Sequence, residues 1–135
     1  MRKSVFLIPL ALAAMLPASA AIAQHADGEA ALQKVLQGRV AGTPVSCLSL
    51  QTLGSSQNID GTAIVYRTSG SRFYVNRSRG DASSIDSDDI LLTRTVGSQL
   101  CRGDVVDLLD RYSRTPKGFV ILGDFVPYDR APRAK

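Results

Sequence analysis

A chain of 135 residues with 44% hydrophobic content, no Trp and two cysteines has material for one small core and none for a string of large domains. Its 16 basic and 12 acidic residues leave a net charge of +4, with the two signs interleaved along the sequence. A nucleic-acid binder needs a more one-sided face, so nucleic acid is excluded as a partner.

Met1-Arg2-Lys3 is a short basic start, and Val5 to Pro17 is an almost unbroken apolar run. Ala18-Ser19-Ala20 and Ala21-Ile22-Ala23 have the small-x-small form that signal peptidase cuts. That order predicts a Sec-type signal peptide over residues 1–23, cleaved after Ala23. The run is short and is interrupted by Pro9 and Pro17, so no stable membrane anchor is expected after cleavage. Loss of Arg2 and Lys3 lowers the net charge to +2. The expected location is the periplasm or the exterior.

Asp27 to Gly38 predicts a short helix, with Asp27 capping it, Leu32, Val35 and Leu36 forming an apolar stripe, and Gly38 ending it in a left-handed conformation. Arg39 to Pro44 reads as a connector. Val45 to Thr52 alternates as a strand does, and the polar segment from Leu53 to Gly61 reads as a loop. Thr62–Arg67 and Ser71–Arg77 are β-rich runs around Thr68-Ser69-Gly70, a hairpin signal. Phe73 and Val75 share one face of the second arm and are expected to look into the core. Ser78 to Asp89 is a polar loop, and Ile90 to Val96 a strand. Asp104 to Arg111 fits either a helix, with Val105, Val106, Leu108, Leu109 and Tyr112 on one face, or a strand. Phe119–Leu122 and Phe125–Val126 look extended, with Gly123 a candidate bulge. The expected organisation is a signal peptide (1–23), a helix and connector (24–44), one globular β domain (45–128) and a flexible tail (129–135). The fold class is mainly β: a small antiparallel, barrel-like domain with a short N-terminal helix.

Cys47 and Cys101 both remain after cleavage. Outside the cytoplasm an even pair reads as one disulfide. A redox or metal pair is disfavoured by the absence of C-x-x-C spacing and of a nearby His.

Four segments carry a likeness. They are Gly38-Arg39-Val40-Ala41-Gly42 with Pro44 and Cys47-Leu48-Ser49-Leu50; Ile59-Asp60-Gly61 leading into Ile64-Val65-Tyr66-Arg67 and Tyr74-Val75-Asn76; Ser98-Gln99-Leu100-Cys101-Arg102-Gly103-Asp104; and Gly118 with Leu122-Gly123-Asp124-Phe125-Val126-Pro127-Tyr128. In order and spacing the chain resembles a group of small exported proteobacterial proteins known only as a domain of unknown function. The resemblance implies a compact, mostly antiparallel β domain and export, and it implies no reaction. Many members carry four cysteines; the other two positions fall near Ala82 and Val120 here. The resemblance therefore leaves open whether Cys47 and Cys101 pair with each other.

Candidate chemistry is sparse. His25 is the only histidine, so Ser-His-Asp and Cys-His catalysis lack a base and zinc hydrolysis lacks ligands. Asp86, Asp88 and Asp89 hint at calcium, but counting from Asp86 the sixth and twelfth positions hold Leu91 and Gly97, where an EF-hand needs Gly and Glu. Asp104, Asp107 and Asp110 raise a paired-carboxylate reading, which needs two of them facing across a cleft; Asp104 has the alternative role of holding the turn after Cys101. Arg79-Gly80-Asp81 and Arg102-Gly103-Asp104 read as turns. Tyr66, Arg67, Arg72, Tyr74 and Asn76 form a candidate binding face, because opposed strands place several of them together. No cofactor and no metal is expected. The leading expectation is a non-catalytic binding or envelope-associated module whose partner is another envelope or secreted protein. The alternatives are a hydrolase inhibitor acting through the Ser78–Asp89 loop, and an enzyme using Asp104, Asp107 and Asp110.

Overall fold

The computed structural model describes residues 19–133. Most of the expected signal peptide lies outside the described residues. One helix and ten strands follow each other as α1 (Ser19–Val35), β1 (Arg39–Ala41), β2 (Cys47–Ser49), β3 (Leu53–Ile59), β4 (Ala63–Thr68), β5 (Phe73–Asn76), β6 (Ile90–Thr93), β7 (Gln99–Cys101), β8 (Val105–Leu109), β9 (Pro116–Ile121) and β10 (Phe125–Arg130). They form a five-stranded sheet ordered β1-β10-β5-β4-β3, a pair β2-β7, and a three-stranded sheet β6-β8-β9. Every pairing is antiparallel. The sheets do not close into a barrel, which corrects that part of the expectation.

Two cores result, one on each face of the five-stranded sheet. On one face Leu32 and Leu36 of α1 pack over Ile59, Ala63, Val65 and Val75. On the other, Ile64, Tyr66 and Phe125 meet Leu48, Leu100, Val106, Leu108, Val120 and Leu122 from the two smaller sheets. Ala63 through Tyr66 are consequently all buried, the signature of a strand covered on both sides.

The helix differs from expectation at its start. It begins at Ser19, so Asp27 lies inside it and caps nothing, and the expected cut after Ala23 falls within it. The Ala-rich segment upstream of Asp27 has high helix propensity, which extends the helix. Its end is as expected: Gly38 has φ of 72°, with Arg39 N–H donating to the Leu36 carbonyl at 3.1 Å. Gly28 makes a close approach possible, because a Cβ there would meet Thr62 Oγ1 and the Asp60 carbonyl.

Strands bring two corrections and settle one open choice. The segment read as a loop from Leu53 is β3, an edge strand paired only with β4. The connector contains β1, and the tail does not begin at 129, because Arg39 and Val40 pair with Arg130 and Asp129. The Asp104–Arg111 ambiguity resolves as strand β8, with Val106 and Leu108 inward. In the hairpin, Ser71 rather than Gly70 takes the positive φ, at 64°.

Candidate functional site

Cys47 and Cys101 form the disulfide and are register partners in β2-β7. No free cysteine exists among the described residues.

The candidate binding face comes apart. Tyr66 points into the larger core, 5% exposed, with its ring 5.8 Å edge-on from Phe125. Burial pushes its hydroxyl pKa far up, and that hydroxyl has no partner. Asn76 is 1% exposed and exchanges two hydrogen bonds with Gly123: its Nδ2 donates to the Gly123 carbonyl at 2.8 Å, and Gly123 N–H donates to its Oδ1 at 3.0 Å. Gly123 is therefore a buried structural contact. Tyr74 packs partly buried against the same core. Only Arg67 and Arg72 are exposed, and Arg72 is paired with Asp129 at 2.6 Å. The exposed-face expectation fails because both sides of β4 and β5 are covered.

The three aspartates are kept apart. Asp104 Oδ2 accepts the Cys101 N–H at 2.7 Å, the turn role expected of it. Asp107 lies mid-strand, 3.7 Å from Arg94. Asp110 accepts the Tyr112 and Ser113 N–H groups at 3.0 and 2.7 Å; these bonds, the Ser113 contact foremost, hold its carboxyl below the usual range. A five-residue strand separates Asp104 from Asp110, about 20 Å along the chain. Neither cleft described below is lined by any of the three.

The larger cleft, about 760 Å³, lies between the middle of α1, the β3–β4 turn and the 80–87 loop. Asp27, Asp60, Asp81 and Asp86 line it with His25. Most of these carboxylates are already engaged. Asp60 accepts the Ser87 N–H, Asp81 accepts Ser83 N–H and Oγ–H at 2.8 and 2.6 Å, and Asp86 is ion-paired with Lys117. Lys117 also binds buried Asp89 at 2.9 Å. Both carboxylates raise the Lys117 pKa, Asp86 first. Among the described residues no group of three His, Cys, Asp or Glu is arranged to hold a metal. A smaller cleft of about 380 Å³ separates the edge strands β3 and β6.

The Ser78–Asp89 loop is pinned from below. Ile85 is buried at its centre, and Asn58 Nδ2 donates to the carbonyls of Asp86 and Asp89, both at 3.0 Å. Gly80 (φ 111°) and Gly103 (φ 93°) place both Arg-Gly-Asp triplets in turns.

Sequence reasoning missed two surfaces. One is the outer face of β6-β8-β9. The register puts Leu92, Asp107 and Phe119 in one row across it, and Val105 and Ile121 in the next. Phe119 is 60% exposed, Val105 46%, Leu92 38% and Ile121 36%. The runs Ile90-Leu91-Leu92 and Val105-Val106-Asp107-Leu108-Leu109 carried the signal, since apolar residues at successive positions of a strand imply two apolar faces. The other is an arginine cluster around Phe73. Arg39 Cζ lies 3.5 Å and Arg67 Cζ 5.0 Å from the Phe73 ring centroid, and Arg130 is the register partner of Arg39. No family model, curated protein or solved structure matches the chain.

Proposed function

We propose that this protein is an exported, non-catalytic module that works by associating with another envelope or secreted protein through the outer face of β6-β8-β9. One observation carries the reading: four apolar side chains from three strands stand exposed on one sheet face whose other side is already core. A one-sided antiparallel sheet ordinarily turns polar residues to water, and contiguous apolar patches of this kind mark interaction surfaces. The Asp107–Arg94 pair, with Asp107 between Leu92 and Phe119 in their row, sets the chemistry of the partner: an apolar ridge interrupted by groups of both charges. Export rests on the basic-apolar-small order of residues 1–23.

A photo-crosslinking side chain at Phe119, expressed in the native host, tests the association. A single discrete adduct recovered from the envelope or periplasmic fraction, and weakened by Asp107→Lys, supports it. An unprocessed chain confined to the cytosol, or no adduct from this face, sinks it.

The anchored Ser78–Asp89 loop favours a second reading, inhibition of an exported hydrolase. A rigid loop with exposed Ser83 and Ser84 loses little entropy on entering an active site. Inhibition that survives replacement of both serines by bulky residues would remove this reading.

A further inference from the structure

We propose that Arg39 and Arg67, stacked about Phe73, form with Arg130, the register partner of Arg39, a site for a phosphate group displayed on a lipid surface. The site stands apart from the apolar face just described, since it lies on the other sheet. Arg39 and Arg130 face each other directly across β1 and β10, an arrangement of like charges that costs stability. Burial first, then Arg130 and Arg67, hold the Arg39 pKa below its ordinary value, against a weaker opposing pull from Asp129. Among the described residues no carboxylate lies within 4.0 Å of any of the three guanidinium groups.

The arginines are nonetheless held in place. Arg39 Nη1 donates to the Ser71 carbonyl at 2.8 Å and the Tyr128 carbonyl at 3.3 Å, while its plane lies over Phe73. Arg67 Nη2 donates to Gln57 Oε1 at 2.6 Å. Each retains further N–H donors in a planar fork, the geometry that matches phosphate oxygens. Two fixed guanidinium groups with a third opposite one of them, none with a carboxylate within salt-bridge distance, are a largely preorganised anion site. Arg67 and Arg130 are exposed and Arg39 is half-buried, so the site is open. It therefore suits a group presented on a surface rather than a small molecule that must be enclosed. The negative end of α1, which closes at Gly38 beside Arg39, softens the mutual repulsion without neutralising it.

Co-sedimentation with vesicles tests the assignment. The purified protein is expected to bind vesicles containing phosphatidylglycerol, to ignore neutral phosphatidylcholine vesicles, and to release as salt rises. Arg67→Gln and Arg130→Gln each weaken binding about fivefold, with the fold checked by circular dichroism. Arg102→Gln removes the same charge at the turn before β8 and changes binding less than about twofold. Equal binding to neutral vesicles overturns the proposal, as does wild-type binding by the Arg67→Gln/Arg130→Gln protein. Two parallel arms separate the other sources of the same chemistry. Inorganic phosphate perturbing the arginines without vesicle retention overturns the surface assignment, and so does tighter binding to a sulfated polysaccharide than to the vesicles.

Discussion

Cys47 and Cys101 stand directly opposite each other across β2 and β7, and the next pair in the ladder, Leu48 and Leu100, is buried in the larger core. The disulfide thus locks together two three-residue strands that are too short to hold each other by backbone bonds alone. The chain it closes spans 54 residues, for which the loop-entropy estimate is about 4 kcal/mol. Cys47→Ala/Cys101→Ala is expected to lose about 2–4 kcal/mol in urea unfolding, a large share of a small domain's stability. Thiol titration of the denatured wild-type protein should find no free thiol. Two thiols with unchanged stability would refute the assignment.

Gly28 sits where α1 touches the β3–β4 turn. Ala is the better helix former by about 1 kcal/mol, so a sequence-level argument makes Gly28→Ala stabilising. The contact reverses the sign: a Cβ would sit 2.5 Å from the backbone carbonyl of Asp60 and still closer to Thr62 Oγ1. A net loss of roughly 2 kcal/mol is expected, since overpacking outweighs propensity. Adding Thr62→Ala should recover only part of it, because the Asp60 carbonyl cannot move aside. Full recovery in the double variant would show that the backbone contact is not limiting.

The hairpin of β4 and β5 was legible because Ile64–Tyr66 and Phe73–Val75 are β-formers set around a turn. β3 was not, because Leu-Gly-Ser-Ser-Gln-Asn-Ile carries the composition of a loop. It is a strand by pairing at a sheet edge, with only Asn58 and Ile59 buried. β1 and the end of β10 escaped notice for a related reason, as Arg39 and Arg130 owe their pairing to tertiary register rather than local pattern. The misplaced binding face has one cause. Alternation along Phe73–Asn76, carried onto the opposed strand, predicts one buried and one wet side, whereas a helix covers one side and the smaller sheets the other. Tyr66, Tyr74 and Asn76 passed from surface to core by that single error.

Neighbouring residues on β9 give a sharp contrast. Val120 is 2% exposed and Phe119 is 60% exposed. Val120→Ser should cost about 2–3 kcal/mol by removing buried methyl groups and burying a hydroxyl. Phe119→Ser should fall within about 0.5 kcal/mol of wild type, while raising solubility and weakening the partner adduct captured by a photo-crosslinking side chain placed at exposed Val105 of the same face. Equal losses at both positions, read from urea midpoints, would mean that Phe119 is packed in the isolated protein, and the outer face would no longer be free to bind.

Glu29 ties α1 to the end of β5, its two carboxylate oxygens meeting Arg77 Nη1 and Nη2 at 2.5 and 3.0 Å. That hydrogen-bonded pairing with Arg77 lowers the Glu29 pKa from its ordinary 4.5 and raises that of Arg77. A carboxylate whose folded pKa is depressed binds its proton more readily in the unfolded chain. Its contribution is therefore complete above about pH 4.5 and is lost as pH falls through the lower folded value. Both partners are substantially exposed, so after solvent screening the contribution is under about 1 kcal/mol. Asp81 and Asp110, lowered by turn hydrogen bonds, push stability the same way, so wild-type acid sensitivity alone does not isolate Glu29. The comparison with Glu29→Gln does. The gap between the two urea midpoints should be widest near neutral pH and should shrink as the pH falls below about 4.5 and through the lower folded value. A gap that stays constant across that interval would show that the carboxylate's charge contributes nothing and that the contact is one of packing.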